Sequence, residues 1–151
     1  NIRYWQEDPN RQFGPTSLDY SPMDMIAAEV MYLVKRYKVK FLLNVHEGWL
    51  LFRESWREYG QCIVVDTPSM GVLASRLCTM INRGISYVPH RFYPALKPMP
   101  DTFTFWAEEA GVSAFGAEVS RDLPWPLRLR YQQTVYTAFL RMVGITLLRN
   151  R

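Results

Sequence analysis

Short apolar runs alternate with longer segments of helical periodicity along the chain, and this alternation most constrains the fold. Three of the apolar runs are short enough for buried strands: VKFLLNV (39–45), GQCIVVD (60–66) and VSAFGAEVS (112–120). Apolar residues recur at helical spacing in four other segments, at residues 23–38, 67–82, 101–110 and 127–145. This order predicts an α/β domain: a mixed sheet flanked by helices on both faces.

The segment from residue 84 to residue 100 interrupts this pattern. It contains four prolines, so we predict an irregular connection there. The chain has 151 residues and is 48% hydrophobic, which is enough apolar material for the core of one domain.

The charge and cysteine content exclude several classes of protein. The net charge is +4, but the basic residues form no Lys/Arg block, so nucleic-acid binding has little support. A substrate that carries carboxylates explains the positive charge equally well. No apolar run reaches 18 residues, so we predict no membrane span. No CxxC motif occurs, and we expect Cys62 and Cys78 to be small buried residues, either unpaired or joined in one disulfide.

His46 is the first candidate for chemistry, because it follows the apolar run 41–45 and precedes Glu47 and Gly48. A histidine in this position either marks the end of a strand or acts as a metal ligand or general base. The second histidine, His90, has no partner at metal-ligand spacing and is interpreted as a loop residue.

Two further places carry candidate functional groups. Glu118 interrupts an apolar strand, so it either faces water on an edge strand or serves as a general base for a water molecule. Asn10 and Arg11 lie in a polar turn, with Arg3 eight residues before Arg11. That turn is either an ordinary loop or a clamp for a carboxylate, since a guanidinium matches a carboxylate with two parallel hydrogen bonds.

The order and spacing of these residues resemble the zinc metallocarboxypeptidases, and most closely the bacterial peptidoglycan carboxypeptidases that control helical cell shape. The family's DxNRxF turn is matched by DPNRQF (8–13), and the later stretches HEG, YGQCIVVD and AFGAEVS follow in the family's order. The resemblance implies that Asn10 and Arg11, with Arg3, hold the terminal carboxylate of the substrate. It implies also that His46 is a zinc ligand and that Glu118, 72 residues later, activates water.

The sequence departs from this family at the first two zinc ligands. The family takes them from an HxxE or QxxE motif upstream of the Asn-Arg turn, and the nine residues before Asn10 contain neither. We therefore expect residues 1–151 to be the C-terminal part of a catalytic domain and, by themselves, to bind zinc weakly or not at all. The upstream part of the same domain was removed, is a separate chain, or is missing from a relic that no longer binds metal.

The resemblance implies a periplasmic, zinc-dependent hydrolase that removes a terminal residue from peptidoglycan stem peptides. Two alternatives remain open. One is a deacylase of the succinylglutamate desuccinylase and aspartoacylase type, whose RYxxxDxNRxF motif is matched by residues 3–13. The other is a catalytically inactive module that binds wall peptides. If the enzyme interpretation is correct, we expect the side chains of His46 and Glu118 to lie within about 10 Å of each other on one cleft.

Overall fold

A computed structural model describes residues 9–14, 22–52 and 59–145 of the chain. The helices are α1 (Pro22–Arg36), α2 (Gly71–Asn82), α3 (Phe103–Glu109) and α4 (Trp125–Met142). The strands are β1 (Phe41–Gly48), β2 (Cys62–Val65), β3 (Tyr93–Leu96) and β4 (Ser113–Ser120). Single turns of 3-10 helix occur at Pro9–Arg11, Pro68–Met70 and Val88–His90.

The strands form one mixed sheet in the order β1-β4-β2-β3. Strand β4 runs parallel to β1 and antiparallel to β2, while β3 runs parallel to β2. The three predicted strands are therefore neighbours in one sheet, and the predicted α/β fold is confirmed. The four predicted helices are also present, with ends within a few residues of the expected positions.

The prediction of an irregular segment at 84–100 is wrong in part, because β3 lies within it. Pro94 is one of the four residues of β3, and a proline cannot donate a hydrogen bond to a neighbouring strand. The strand tolerates it because β3 is at the edge of the sheet, where one row of N–H groups needs no partner.

Helices cover both faces of the sheet, as the sequence predicts. One face carries Phe115, Ala117 and Val119 of β4, which pack with buried residues of α2 and α4. The opposite face carries Ala114, which packs with α1 and α3 through residues such as Val34 and Ala107. Successive residues of a strand point to opposite faces, so even-numbered residues of β4 face α1 and α3.

The two cysteines behave as small core residues. Cys62 and Cys78 are both buried and neither forms a disulfide. No helix within residues 9–14, 22–52 and 59–145 is both long and apolar enough to cross a bilayer.

Candidate active site

His46 and Glu118 lie directly opposite each other on two adjacent parallel strands. The register of β1 and β4 pairs His46 with Glu118, so both side chains point to the sheet face that carries α1 and α3. Neighbouring strands are separated by about 4.8 Å, which brings the imidazole and the carboxylate well within the expected 10 Å. Glu118 is on the central strand β4, so the alternative of a glutamate on an edge strand is wrong.

Glu47 points away from this pair. Its carboxylate accepts hydrogen bonds from Arg128 Nη1 at 2.9 Å and from Gln132 Nε2 at 3.3 Å, both on α4. Helix α4 covers the opposite face of the sheet, so the Glu47 carboxylate does not face His46. The Glu47 carboxylate is thus bound to α4, although Glu47 is among the residues that line a pocket together with His46.

Asn10 is fixed in place by two elements of the domain. Its Oδ1 accepts a hydrogen bond from Asn44 Nδ2 at 2.9 Å and another from the backbone N–H of Phe103 at 3.2 Å. Asn44 lies two residues before His46 on the same face of β1, and Phe103 begins α3. The Asn-Arg turn is therefore joined to the strand that carries His46.

One pocket brings the described candidate residues together. Its volume is about 250 Å³, and its lining includes Asn10, Arg11, His46 and Glu118. Trp49, Tyr59 and Met99 contribute to the same lining. The pocket thus places an amide, a guanidinium, an imidazole and a carboxylate around one small space. Arg3 lies outside the described residues, so its place in the site stays a prediction.

Two glycines bring the chain close together beside this pocket. A Cβ atom on Gly48 would lie 2.9 Å from the backbone N of Gly60, and a Cβ on Gly60 would overlap the backbone O of Leu50. Backbone hydrogen bonds join the same segments, from Gly60 N to Trp49 O at 3.1 Å and from Phe52 N to Gly60 O at 2.6 Å. The glycine of the HEG motif and that of the YGQ motif are required by this close approach.

The side chains of Gln61 and Asn44 hold parts of the site in place, and neither role was predicted from the sequence. Gln61 is 1% exposed and has a positive φ of 62°. Its amide donates to the backbone O of His90 at 2.7 Å and accepts from Ser120 N at 3.1 Å. Gln61 therefore ties the start of β2 to the end of β4, two residues beyond Glu118. The signal was available in the YGQ motif, which places a polar residue before a buried strand.

His90, interpreted from the sequence as a loop residue, is not among the residues that line this pocket. It ends the short 3-10 helix Val88–His90, and its Nδ1 forms a hydrogen bond of 2.9 Å with the Tyr131 hydroxyl.

Cys62 lies next to Glu118 on the same face of the sheet, through the antiparallel pairing of β2 with β4. Burial raises the pKa of the Cys62 thiol far above its ordinary value, and the Glu118 carboxylate raises it further. Its sulfur donates a hydrogen bond to the backbone O of Tyr59 at 2.9 Å. The thiol therefore stays protonated near neutral pH.

The described residues do not form a complete zinc site. Within the described ranges, no three side chains of the His, Cys, Asp or Glu type are grouped to hold a metal ion. A zinc site in an enzyme normally has three protein ligands, and the pocket contains His46, the one residue predicted from the sequence as a ligand. This donor set is smaller than a zinc site requires.

Asp66 anchors the segment that carries Met99, one of the pocket residues. It is 3% exposed, and its Oδ1 accepts a hydrogen bond from Met99 N at 2.8 Å. Burial raises the pKa of Asp66 to about 6, the hydrogen bond from Met99 lowers it, and the charge of Glu108 raises it.

Asp66→Asn should make the domain more stable at neutral and alkaline pH. The folded pKa lies above the unfolded value, so the wild-type domain loses stability as the pH rises from about 4 through about 6. The asparagine keeps an oxygen for Met99 N and carries no buried charge, so we expect a gain of about 1–2 kcal/mol at pH 8. The gain should vanish below about pH 4. Urea unfolding between pH 3.5 and 8 measures it, with exposed Glu109→Gln as the charge-matched control. A wild-type stability that rises with pH by more than that of the Asp66→Asn variant would contradict this assignment.

The sequence matches no protein-family model, and no curated protein matches it significantly. Solved structures similar to this chain include those of the cell shape determinant protein Csd4 from Helicobacter pylori. The product-bound form has a TM-score of 0.83 at 21% sequence identity, over 94% of this chain and 39% of that chain. The mDAP-bound form of Csd4, described as a D,L-carboxypeptidase, has a TM-score of 0.79 at 21% identity, over 91% of this chain and 38% of that one.

The chain spans about two fifths of the length of these Csd4 structures. At this level of identity, the similarity concerns the three-dimensional fold. The mixed sheet with helices on both faces is therefore a fold that this chain shares with part of Csd4.

Proposed function

We propose that this chain is part of a zinc-dependent carboxypeptidase that removes a terminal residue from peptidoglycan stem peptides. The observation that carries the proposal is the pocket in which Asn10 and Arg11 lie beside the paired His46 and Glu118. The shared fold with Csd4, described as a D,L-carboxypeptidase, supports the same class of reaction. The periplasmic location of the resembled enzymes belongs to the proposal as well.

In this proposal, Glu118 is the general base. A carboxylate can take a proton from an attacking water molecule and deliver it to the leaving amine of the peptide bond. Glu118 is only partly buried and lines the pocket, so a water molecule and a substrate can both reach it. Its place on the central strand β4 keeps the carboxylate in a fixed position relative to His46.

Asn10 and Arg11 are the anchor for the substrate's terminal carboxylate. Arg11 is exposed and offers a planar guanidinium, which can form two parallel hydrogen bonds with a carboxylate. Asn10 is oriented by Asn44 and by the start of α3, so the whole turn is held at a fixed distance from the catalytic pair. We include Arg3 in this anchor on the strength of the family resemblance.

His46 is proposed as one zinc ligand, with two further ligands from outside the described residues. Bound zinc would polarise the scissile carbonyl and acidify a water molecule. The open edge of the sheet at β1 supports the idea that the upstream part of the same domain contributes these ligands. Within the described chain, β1 pairs with β4 alone, so its other edge has backbone groups available for a further strand.

The apolar surface next to that edge points to the same conclusion. Large apolar side chains are exposed along α1 and at the start of β1: Met25, Ile26, Tyr32, Leu33, Tyr37 and Phe41. An apolar pocket of about 430 Å³, which Ile26 helps to line, reaches His46. Several large exposed apolar side chains on one part of a domain are characteristic of an interface. A further segment of the domain would cover it and approach the metal position.

Release of the terminal residue from a muramyl tripeptide by the full gene product, supplied with zinc, tests this function. We expect turnover, and we expect Arg11→Ala to raise KM by about 10- to 100-fold with a small change in kcat, since one charge-assisted contact is lost. Arg76→Ala removes an exposed arginine of α2, on the opposite face of the sheet, and is the matched control. Residues 1–151 alone should bind zinc weakly.

Three results would contradict the proposal. Hydrolysis of N-acyl amino acids in place of the tripeptide would indicate a deacylase. Tripeptide binding without release by a zinc-loaded protein would indicate a binding module. Tight binding of one zinc ion by residues 1–151 would show that the ligand count is wrong.

A further inference from the structure

A second cavity lies between α2 and α4, on the side of the sheet opposite to His46 and Glu118. Its volume is about 440 Å³. These two helices pack on the face formed by the odd-numbered residues of β4, whereas the candidate active site is on the other face. The cavity therefore has no part in the proposed peptidase chemistry.

The lining of this cavity is basic. Three arginines contribute to it, Arg83 just after α2 and Arg130 and Arg141 on α4, and no aspartate or glutamate of the described residues does. Thr137 lies between the two α4 arginines on the same side of that helix, at positions 130, 137 and 141. Of the α4 arginines, Arg128 forms an ion pair within the described ranges, and its partner is Glu47. That ion pair does not involve the three arginines of the cavity.

Helix dipoles explain the positions of two of these three arginines. Arg83 and Arg141 lie near the C-terminal ends of α2 and α4, where a positive charge is favourable. Arg130 is in the first half of α4, where the dipole gives it no such benefit. The dipoles also give no reason for all three guanidiniums to share one concave surface. All three arginines are exposed, so water and salt screen part of their mutual repulsion, and an anion bound between them would offset the rest.

We propose that this cavity is a binding site for a phosphate group. A guanidinium binds phosphate oxygens through two parallel hydrogen bonds, and three of them can neutralise a doubly charged anion. The Gln133 amide and the Thr137 hydroxyl offer further donors, while Met80 and Ala138 give room for an apolar part of the ligand. The phosphate group belongs either to a small soluble ester or to a lipid headgroup.

Isothermal titration of the protein with sodium phenyl phosphate, a soluble phosphate monoester, at constant ionic strength tests the small-ligand source. Co-sedimentation with vesicles of phosphatidic acid and phosphatidylcholine, against phosphatidylcholine alone, tests the lipid source. We expect saturable binding in one of the two assays. The double variant Arg83→Gln/Arg130→Gln should weaken that binding at least about 10-fold, since each guanidinium contributes charge-assisted hydrogen bonds.

The matched control is Arg36→Gln/Arg121→Gln, which removes the same charge from exposed positions outside the cavity. It should leave the dissociation constant within about twofold. Thermal unfolding verifies that both double variants are folded. In addition, amide chemical shifts of Gly84 and Thr137 should move on titration of the wild-type protein. Equal weakening by the two double variants would overturn the proposal, because the binding would then depend on net charge alone. Failure to bind in both assays would overturn it too.

Discussion

Glu118→Gln in the zinc-loaded full gene product should lower kcat by about 10²- to 10⁴-fold and leave zinc content nearly unchanged. Glutamine has the shape of glutamate but cannot accept a proton from water. Glu118 pairs in register with His46, and glutamine can occupy the same place on β4 without disturbing either strand. The loss should therefore appear in turnover and leave substrate binding almost intact.

Two other variants separate this role from those of its neighbours. His46→Ala should lose zinc and activity together, because metal affinity depends on each ligand. Exposed Glu109→Gln, at the end of α3, removes the same charge away from the pocket and should keep full activity. Release of the terminal residue and metal content are measured for each variant. Near-normal release by the Glu118→Gln enzyme would refute its assignment as the base.

Gly60→Ala should destabilise the domain by about 3 kcal/mol or more. An added methyl group would overlap the backbone O of Leu50 and lie 2.8 Å from Ser120 Cβ, and a backbone atom cannot rotate away as a side chain can. The strain would fall on the segment that joins β1 to β2 beside the pocket. We therefore expect this variant to lose substrate binding together with stability.

Gly71→Ala is the matched control for this substitution. Gly71 begins α2 with a φ of −56°, and a Cβ there would meet no atom of the described residues within 4 Å. The same chemical change should stabilise the domain by about 0.4–1 kcal/mol, because it restricts the unfolded chain. Chemical denaturation of both variants gives the difference. A Gly60→Ala protein as stable as the wild type would show that the two segments are not in close contact.

The sequence predicts most of the sheet because its central strands are short runs rich in apolar residues. Strand β2 is buried at every position, and β4 is buried at most, so neither depends on a neighbour to be recognised. Strand β3 could not be predicted in this way. It has four residues, one of them Pro94, and it is a strand only because β2 is beside it. Tertiary context decides such short edge strands.

The candidate site likewise contains some residues that the sequence predicts and others that it does not. His46 and Glu118 stand out because each places an ionisable group in an apolar run, and a polar group in such a place calls for an explanation. Asn44 interrupts the same run, but its role depends on Asn10, which is 34 residues away in sequence. Gln61 likewise acts through residues distant in sequence. Contacts of this kind cannot be predicted from local patterns.

The position of β4 has a consequence for the order of events during synthesis. Strand β4 is the last of the described strands but lies between β1 and β2, two of the strands made before it. A nascent chain that has not yet exposed residue 120 leaves β1 and β2 without the partner that joins them. The pairings of β4 with β1 and β2 join residues that are far apart in sequence. Such long-range pairings predict that the sheet folds slowly and only after β4 has emerged from the ribosome. His46 therefore meets Glu118 only after β4 has been synthesised, late in the chain and shortly before α4.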